Sequence, residues 1–444
     1  MPFAKVLVCL LLTGATLAAA QTSDYGRSEL GSLKDTDALI RNAQDHLRRG
    51  AATSSAYEQL GSLYQQKGRE TADAAWFELA EKALRQAIQL AGDDFSRAGP
   101  FVQLAAVYMS EHRFADALAS AHDAIATGAG DADAFAIEGD ALTDLGQYDD
   151  AASAYRTLKR VTSERSPLRA DYVADSRLSY LKMISGDMPG ALDLIKQSIT
   201  AATQINVPPE NLAWLYYELG ERCFQSGDIA CADAAYSTGL KVDPRHFRCL
   251  AGLAKVRAAE RKLDHSIRLY QRSIDVVPMP QYIAEMADVM RATGQMDRAR
   301  QEDDLVEYIG KISEINRVLN NRELAVFYAD RGTKLDEALR LAKAEFEVRS
   351  DVYTWDALAW VLYKRGEYAQ AKDAIGKALR LHTSDPMLFF HAGMISRALN
   401  EKQDATQFLG KALTINPQFH VAYAGEARKT LDRLQSEENA HASR

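Results

Sequence analysis

The chain has 444 residues, with 53 Lys and Arg against 61 Asp and Glu, a formal net charge of −8, and 47% hydrophobic residues. The hydrophobic share excludes a mainly disordered chain, and the acidic balance excludes the basic surface that nucleic acid or anionic lipid requires. Eleven prolines and 26 glycines are too few for a collagen-like or low-complexity chain.

The first 20 residues differ from the rest. Lys5 gives a positive start, Val6–Leu12 is an unbroken apolar run, and Leu17-Ala18-Ala19-Ala20 puts small residues before Gln21. Positive charge, apolar core and small-residue exit predict a secretory signal peptide cleaved after Ala20. The stretch Val6–Ala20 has 15 residues, whereas a spanning helix needs about 20. Cys9 lies inside the apolar run and not at its exit, which disfavours a lipoprotein anchor. Removing Lys5 with the signal leaves 52 cations against 61 anions, a charge of −9. Residues 21–55 then hold a polar leader and an N-terminal capping helix. No later segment is long and apolar enough to span a bilayer, so no membrane insertion of the mature chain is expected.

From Ala56 onward one pattern recurs. Its clearest copy is Thr354 to Pro386. Trp355, Leu358, Ala359 and Leu362 mark one helix face, Gly366 a turn, and Ala371, Ile375 and Ala378 a second face. Asp385-Pro386 ends the unit, because proline cannot continue the hydrogen-bond ladder. Further copies run through Leu60, Gly61 and Tyr64 (with a longer turn around Gly68 to Trp76), through Tyr216, Leu219, Gly220 and Cys223, and through Phe389, Ala392 and Gly393. Ala254 lies 34 residues after Gly220, and Gly139 lies 34 after Ala105. The weaker copies are Leu178–Ser198 and Met286–Val306. Two apolar stripes per unit, broken by a turn, make an antiparallel helix pair. A small residue on the first helix lets the second approach closely. A lone pair cannot bury both faces, but stacked pairs can.

This spacing resembles the tetratricopeptide repeat, W-x2-L-G-x2-Y…A-x3-F…A…P with a period near 34 residues. The resemblance implies an all-α, right-handed superhelical solenoid of about ten helix-turn-helix repeats, spanning residues 56–418. Breaks between sub-arrays fall near 160–169, 206–211 and 296–320, the last read as one long helix. Phe419–Leu434 reads as a capping helix, and Gln435–Arg444 as a polar tail.

Once the repeats are assigned, neither end has room for a catalytic domain. There is no G-x-S-x-G, H-E-x-x-H, Walker-type, G-x-G-x-x-G or C-x-x-C motif. No enzyme, cofactor or metal is therefore expected. Cys231, His246 and Cys249, with Cys223 and His265, match no zinc spacing. Glu302-Asp303-Asp304 reads as a solvated face. Cys223, Cys231 and Cys249 fall within 27 residues, either as small core residues, the favoured reading, or as a local disulfide with one thiol left over.

In the family the first helix of each pair lines a concave groove. The resemblance thus implies groove positions at Tyr180, Met183, Trp214, Tyr217, Glu221 and Phe224, and at Tyr353, Asp356, Trp360, Tyr363, Phe390, Met394 and Arg397. Such rings either face the groove as anchors or pack between units. The Lys/Asn/Arg clamp by which some members hold a carboxy-terminal acid is absent, since Tyr217, Glu221, Asp356, Trp360, Phe390 and Met394 occupy its positions. The expectation is a periplasmic or secreted, non-catalytic adaptor for a protein or peptide partner. The alternatives are a self-associating structural protein, allowed by the odd cysteine count and long helical faces, and an obligate subunit of an envelope enzyme complex.

Overall fold

The computed structural model of the chain describes residues 36–442 apart from 51, 72, 130–131 and 316–320. The expected signal peptide and most of the leader lie outside the described residues. Among those described there are 22 α-helices and no strand.

A lone helix α1 (Thr36–Arg48) precedes ten helix pairs. They are α2 (Ser54–Thr71) with α3 (Ala74–Leu90), α4 (Asp94–Ser110) with α5 (Phe114–Ala126), α6 (Ala132–Asp144) with α7 (Tyr148–Ser163), and α8 (Pro167–Ile184) with α9 (Met188–Gln204). Then come α10 (Pro209–Gln225) with α11 (Ile229–Val242), α12 (Phe247–Ala259) with α13 (Leu263–Val276), and α14 (Pro280–Ala292) with α15 (Met296–Ile315). The last are α16 (Asn321–Arg331) with α17 (Leu335–Glu345), α18 (Val352–Lys364) with α19 (Tyr368–Ala378), and α20 (Pro386–Ala398) with α21 (Lys402–Ile415). Helix α22 (Tyr423–Ala442) follows. The fold is an all-α helical-repeat solenoid.

Local chemistry explains where the elements differ from the sequence reading. Residues 160–169 are helical to Ser163 and again from Pro167, because proline is well placed in a first helical turn, where its missing N–H has no partner to lose. Pro209 starts α10 in the same way. Gly68 lies inside α2, not in a turn, and faces the Phe77 ring. The final helix starts at Tyr423, not Phe419, and runs on to Ala442. His420 stops an earlier start by accepting from the amides of Ala422 and Tyr423 through Nδ1.

The chain divides into two compact units. Among the described residues the first comprises 36–177 and 311–315, the second 178–310 and 321–442. In the first, Phe77, Leu84, Val107, Phe114, Ile137 and Leu158 are all buried. A buried ion pair crosses that core. The Arg177 guanidinium donates to both Asp140 oxygens at 2.8 and 2.9 Å, and the Tyr155 hydroxyl donates to the same carboxylate at 2.8 Å. Removing one partner would strand the other in an apolar interior, a loss on the order of 3–5 kcal/mol.

The second unit closes on itself through two similar clasps. After α8 the chain turns at Gly186, and the Thr383 hydroxyl donates to the Ile184 carbonyl beside it. After α10 it turns at Gly227, and the Asn416 amide donates to the Phe224 carbonyl at 2.7 Å. Both glycines have positive φ, and a Cβ at either would overlap a carbonyl, that of His382 or of Ile415. The Thr383 clasp thus supplies a donor to a carbonyl at a helix C-terminus, where helices leave acceptors unpaired, and the Asn416 clasp adds a donor to a carbonyl that the Gly227 amide also reaches. Thr383 and Asn416 are fully buried.

Candidate functional site

Inside the second unit lies a cavity of about 430 Å³. Its wall comes mainly from first helices: Tyr180 and Met183 of α8, Tyr217 to Gln225 of α10, Lys255 of α12, Glu285 and Val289 of α14, and Tyr353 of α18. Tyr270 of α13, the start of α20 at Asp385–Met387, and the stretch Gln418–Val421 complete it. First helices dominate because each second helix packs on the far side of its pair, as at Tyr236, whose ring fills the space left by Gly220 and Gly252.

The wall is aromatic and charged. The Lys255 ammonium donates to both Glu221 oxygens at 2.7 Å and sits 5.5 Å from the Phe224 ring centroid. The Tyr236 hydroxyl donates to Glu221 at 2.6 Å. Arg222 donates to the Glu218 carboxylate at 2.8 Å. The Tyr270 hydroxyl donates to Glu285 at 2.8 Å, and the Gln225 amide to Asp385 at 2.8 Å. Burial disfavours the charge on Lys255, but Glu221 and Glu285 outweigh it and hold the ammonium above its usual value. Burial pushes the carboxyls of Glu285 and Asp385 up. It pushes the Tyr217 and Tyr270 phenols up too, Glu221 and Glu285 adding to the shift. Burial lowers His420 to about 4, so it faces the cavity as a neutral ring.

Of the residues named from the sequence, Tyr180, Met183, Tyr217, Glu221, Phe224 and Tyr353 come together on this wall. Trp214, Asp356, Trp360, Tyr363, Phe390, Met394 and Arg397 are not on it. Trp214 is 5% exposed, Trp360 1%, Phe390 0%, Met394 2% and Asp356 8%, so these side chains are packed away and not presented to solvent. The covering residues belong to the same chain. Trp360 stacks on His391 at 4.1 Å and meets Tyr423 edge-on at 5.8 Å, while Phe390 lies 4.9 Å from Tyr423 and 5.7 Å from Phe419. Tyr363 stacks on Trp360 at 4.9 Å.

The sequence reading placed none of Lys255, Glu285 and Tyr270 in the groove. Lys255 was legible in principle: it lies 34 residues after Glu221, at the same repeat position, and pairs with it. Tyr270 lies on a second helix, which the pattern does not assign to the groove.

The cysteine reading needs correction. Cys223 and Cys231 form a disulfide between α10 and α11, and Cys249 alone is a buried core thiol. His246 Nδ1 lies 3.2 Å from the Cys249 sulfur, and His265 is exposed. The acidic run on α15 is not simply solvated, since Arg331 donates to Asp303 at 3.0 Å and Arg291 also pairs with it.

Paired helices in register, with first helices gathered around a cavity, define a helical-repeat interaction scaffold. Residues 102–167 and 357–418 match the tetratricopeptide repeat family, within α4–α7 and α18–α21. These two regions carry tetratricopeptide repeats, and proteins built from such repeats bind protein partners. No curated protein matches it in sequence. Among solved structures it is similar to yeast Tom70, at 12% identity and a TM-score of 0.41, over 95% of this chain and 96% of that one. It is also similar to the APC/C hetero-tetramer Cut9–Hcn1, at 13% identity and a TM-score of 0.33, over 90% of each chain.

Proposed function

We propose that the chain is an exported, non-catalytic adaptor that takes a peptide or protein segment into the cavity of its second unit. The observation that carries this reading is the lining itself. Residues from six first helices converge on one aromatic, charged space of the size that ligand pockets have, roughly 300–1,000 Å³. Tyr217 and Tyr353 supply large contact area at low entropic cost. Export is supported by the N-terminal sequence and by the Cys223–Cys231 pair, since disulfides persist in oxidising compartments.

A photoreactive amino acid placed at Tyr353, on the cavity wall, tests the reading against one placed at exposed Arg160, far from that wall in sequence. Irradiation of intact cells should give discrete protein adducts from position 353 in the exported fraction, and mass spectrometry identifies them. Adducts that are absent, or identical from both positions, defeat the proposal. The N-terminal peptide of the exported chain should start at Gln21.

A further inference from the structure

The charges on the cavity wall do not balance, and the imbalance specifies a ligand. Its carboxylates are Glu218, Glu221, Glu285 and Asp385, and its cations are Arg222 and Lys255. Each cation already makes an ion pair, Arg222 with Glu218 through Nη1 and Lys255 with Glu221, while Nε and Nη2 of Arg222 have no hydrogen-bond partner among the described residues. Glu285 and Asp385 make no ion pair among the described residues and receive only neutral donors, the Tyr270 hydroxyl and the Gln225 amide among them. Lys255 acts on Glu285 across space as well as on Glu221, so four carboxylates share two cations, and an incoming positive charge relieves that excess in a buried wall. The rings around them present π faces that attract cations, as the Lys255 ammonium over Phe224 already illustrates.

We propose that the segment bound in this cavity presents a lysine or arginine side chain, received by Glu285 and Asp385 and flanked by Tyr217, Tyr270 and Tyr353. The inference rests on the cavity being the binding site, and it deepens that reading by naming the chemistry of the partner. A carboxylate ligand is disfavoured by the same balance, because it would add to the excess of carboxylates over cations on the wall. The chain's overall charge of −8 acts in the same sense at longer range, drawing basic segments toward the molecule.

The test uses the full exported chain and fluorescein-labelled ten-residue peptides that differ only at one central position, carrying Lys, Arg, Gln or Glu in a Gly/Ala/Leu frame. Fluorescence anisotropy should rank Lys and Arg about tenfold or more above Gln, with Glu weakest. That preference should shrink as salt rises from about 50 to about 500 mM. Glu285→Gln should abolish most of the Lys-over-Gln preference at an unchanged melting temperature, and Asp385→Asn, which keeps the helix cap, should reduce it. Equal binding of the Lys, Gln and Glu peptides overturns the proposal, as does a preference that survives Glu285→Gln or resists salt. No binding by any peptide also overturns it. Discrete photoadducts from position 353 without any basic preference remove the cation and leave the cavity as the binding site. The absence of both removes both.

Discussion

Two histidines serve as helix caps, a role in which a proton cannot be tolerated. His246 Nδ1 accepts from the Cys249 amide at the start of α12, and His420 Nδ1 from the amides that open α22. Burial, aided for His246 by Arg248, lowers them from 6.5 to about 3 and about 4. The unfolded chain therefore binds more protons than the folded one below the ordinary histidine value. Stability from these groups is fully present above about pH 6.5 and is lost as pH falls toward about 4. The urea midpoint should drop between about pH 7 and about pH 5, and His420→Asn, which keeps a capping side chain, should flatten part of that slope. Slopes identical to wild type would rule this out. Glycines give a paired prediction of opposite sign. A Cβ at Gly220 would run into the Tyr236 ring, whereas Gly376, inside α19, has open space around it. Overpacking costs about 1–3 kcal/mol, and the better helix propensity of alanine returns at most ~1. Gly220→Ala should thus lower stability by about 1–2 kcal/mol, and Gly376→Ala should raise it by about 0.5–1. Thermal melts of the two variants decide it.

At the scale of the helix pair, the Cys223–Cys231 bond fixes α10 to α11 across the turn that carries one clasp. The bridged residues are eight apart, so the bond removes about 2–3 kcal/mol of loop entropy from the unfolded chain. Replacing both cysteines by serine should lower stability by about that amount, and chemical labelling of the wild-type denatured chain should find Cys249 as the single free thiol of the mature protein. Three labelled thiols would contradict this. Periodicity made the pairs legible because each buries a stripe at helical spacing and a small residue at its closest approach, as at Gly220 or Gly393. Where His112 or Arg261 takes the left-handed turn in place of glycine, the mark is weaker. The clasps were not legible. Thr383 and Asn416 look like ordinary loop residues, and their partners lie 199 and 192 positions away. That closure decides which side chains reach the cavity. It brings Tyr217 and Tyr353 to one wall, while Phe419 and Tyr423 cover Trp360 and Phe390.

For the whole molecule, ten helix pairs provide the scaffold, and the second unit gathers its first helices around an acidic, aromatic cavity. On the proposed reading, function depends on a segment entering that cavity. Hydrogen exchange of the full chain with and without the partner captured at position 353 tests this most directly. The account predicts slowed exchange in α10, α12 and α14, with residues 36–177 unchanged. Protection confined to residues 36–177, or none in those three helices, would contradict it.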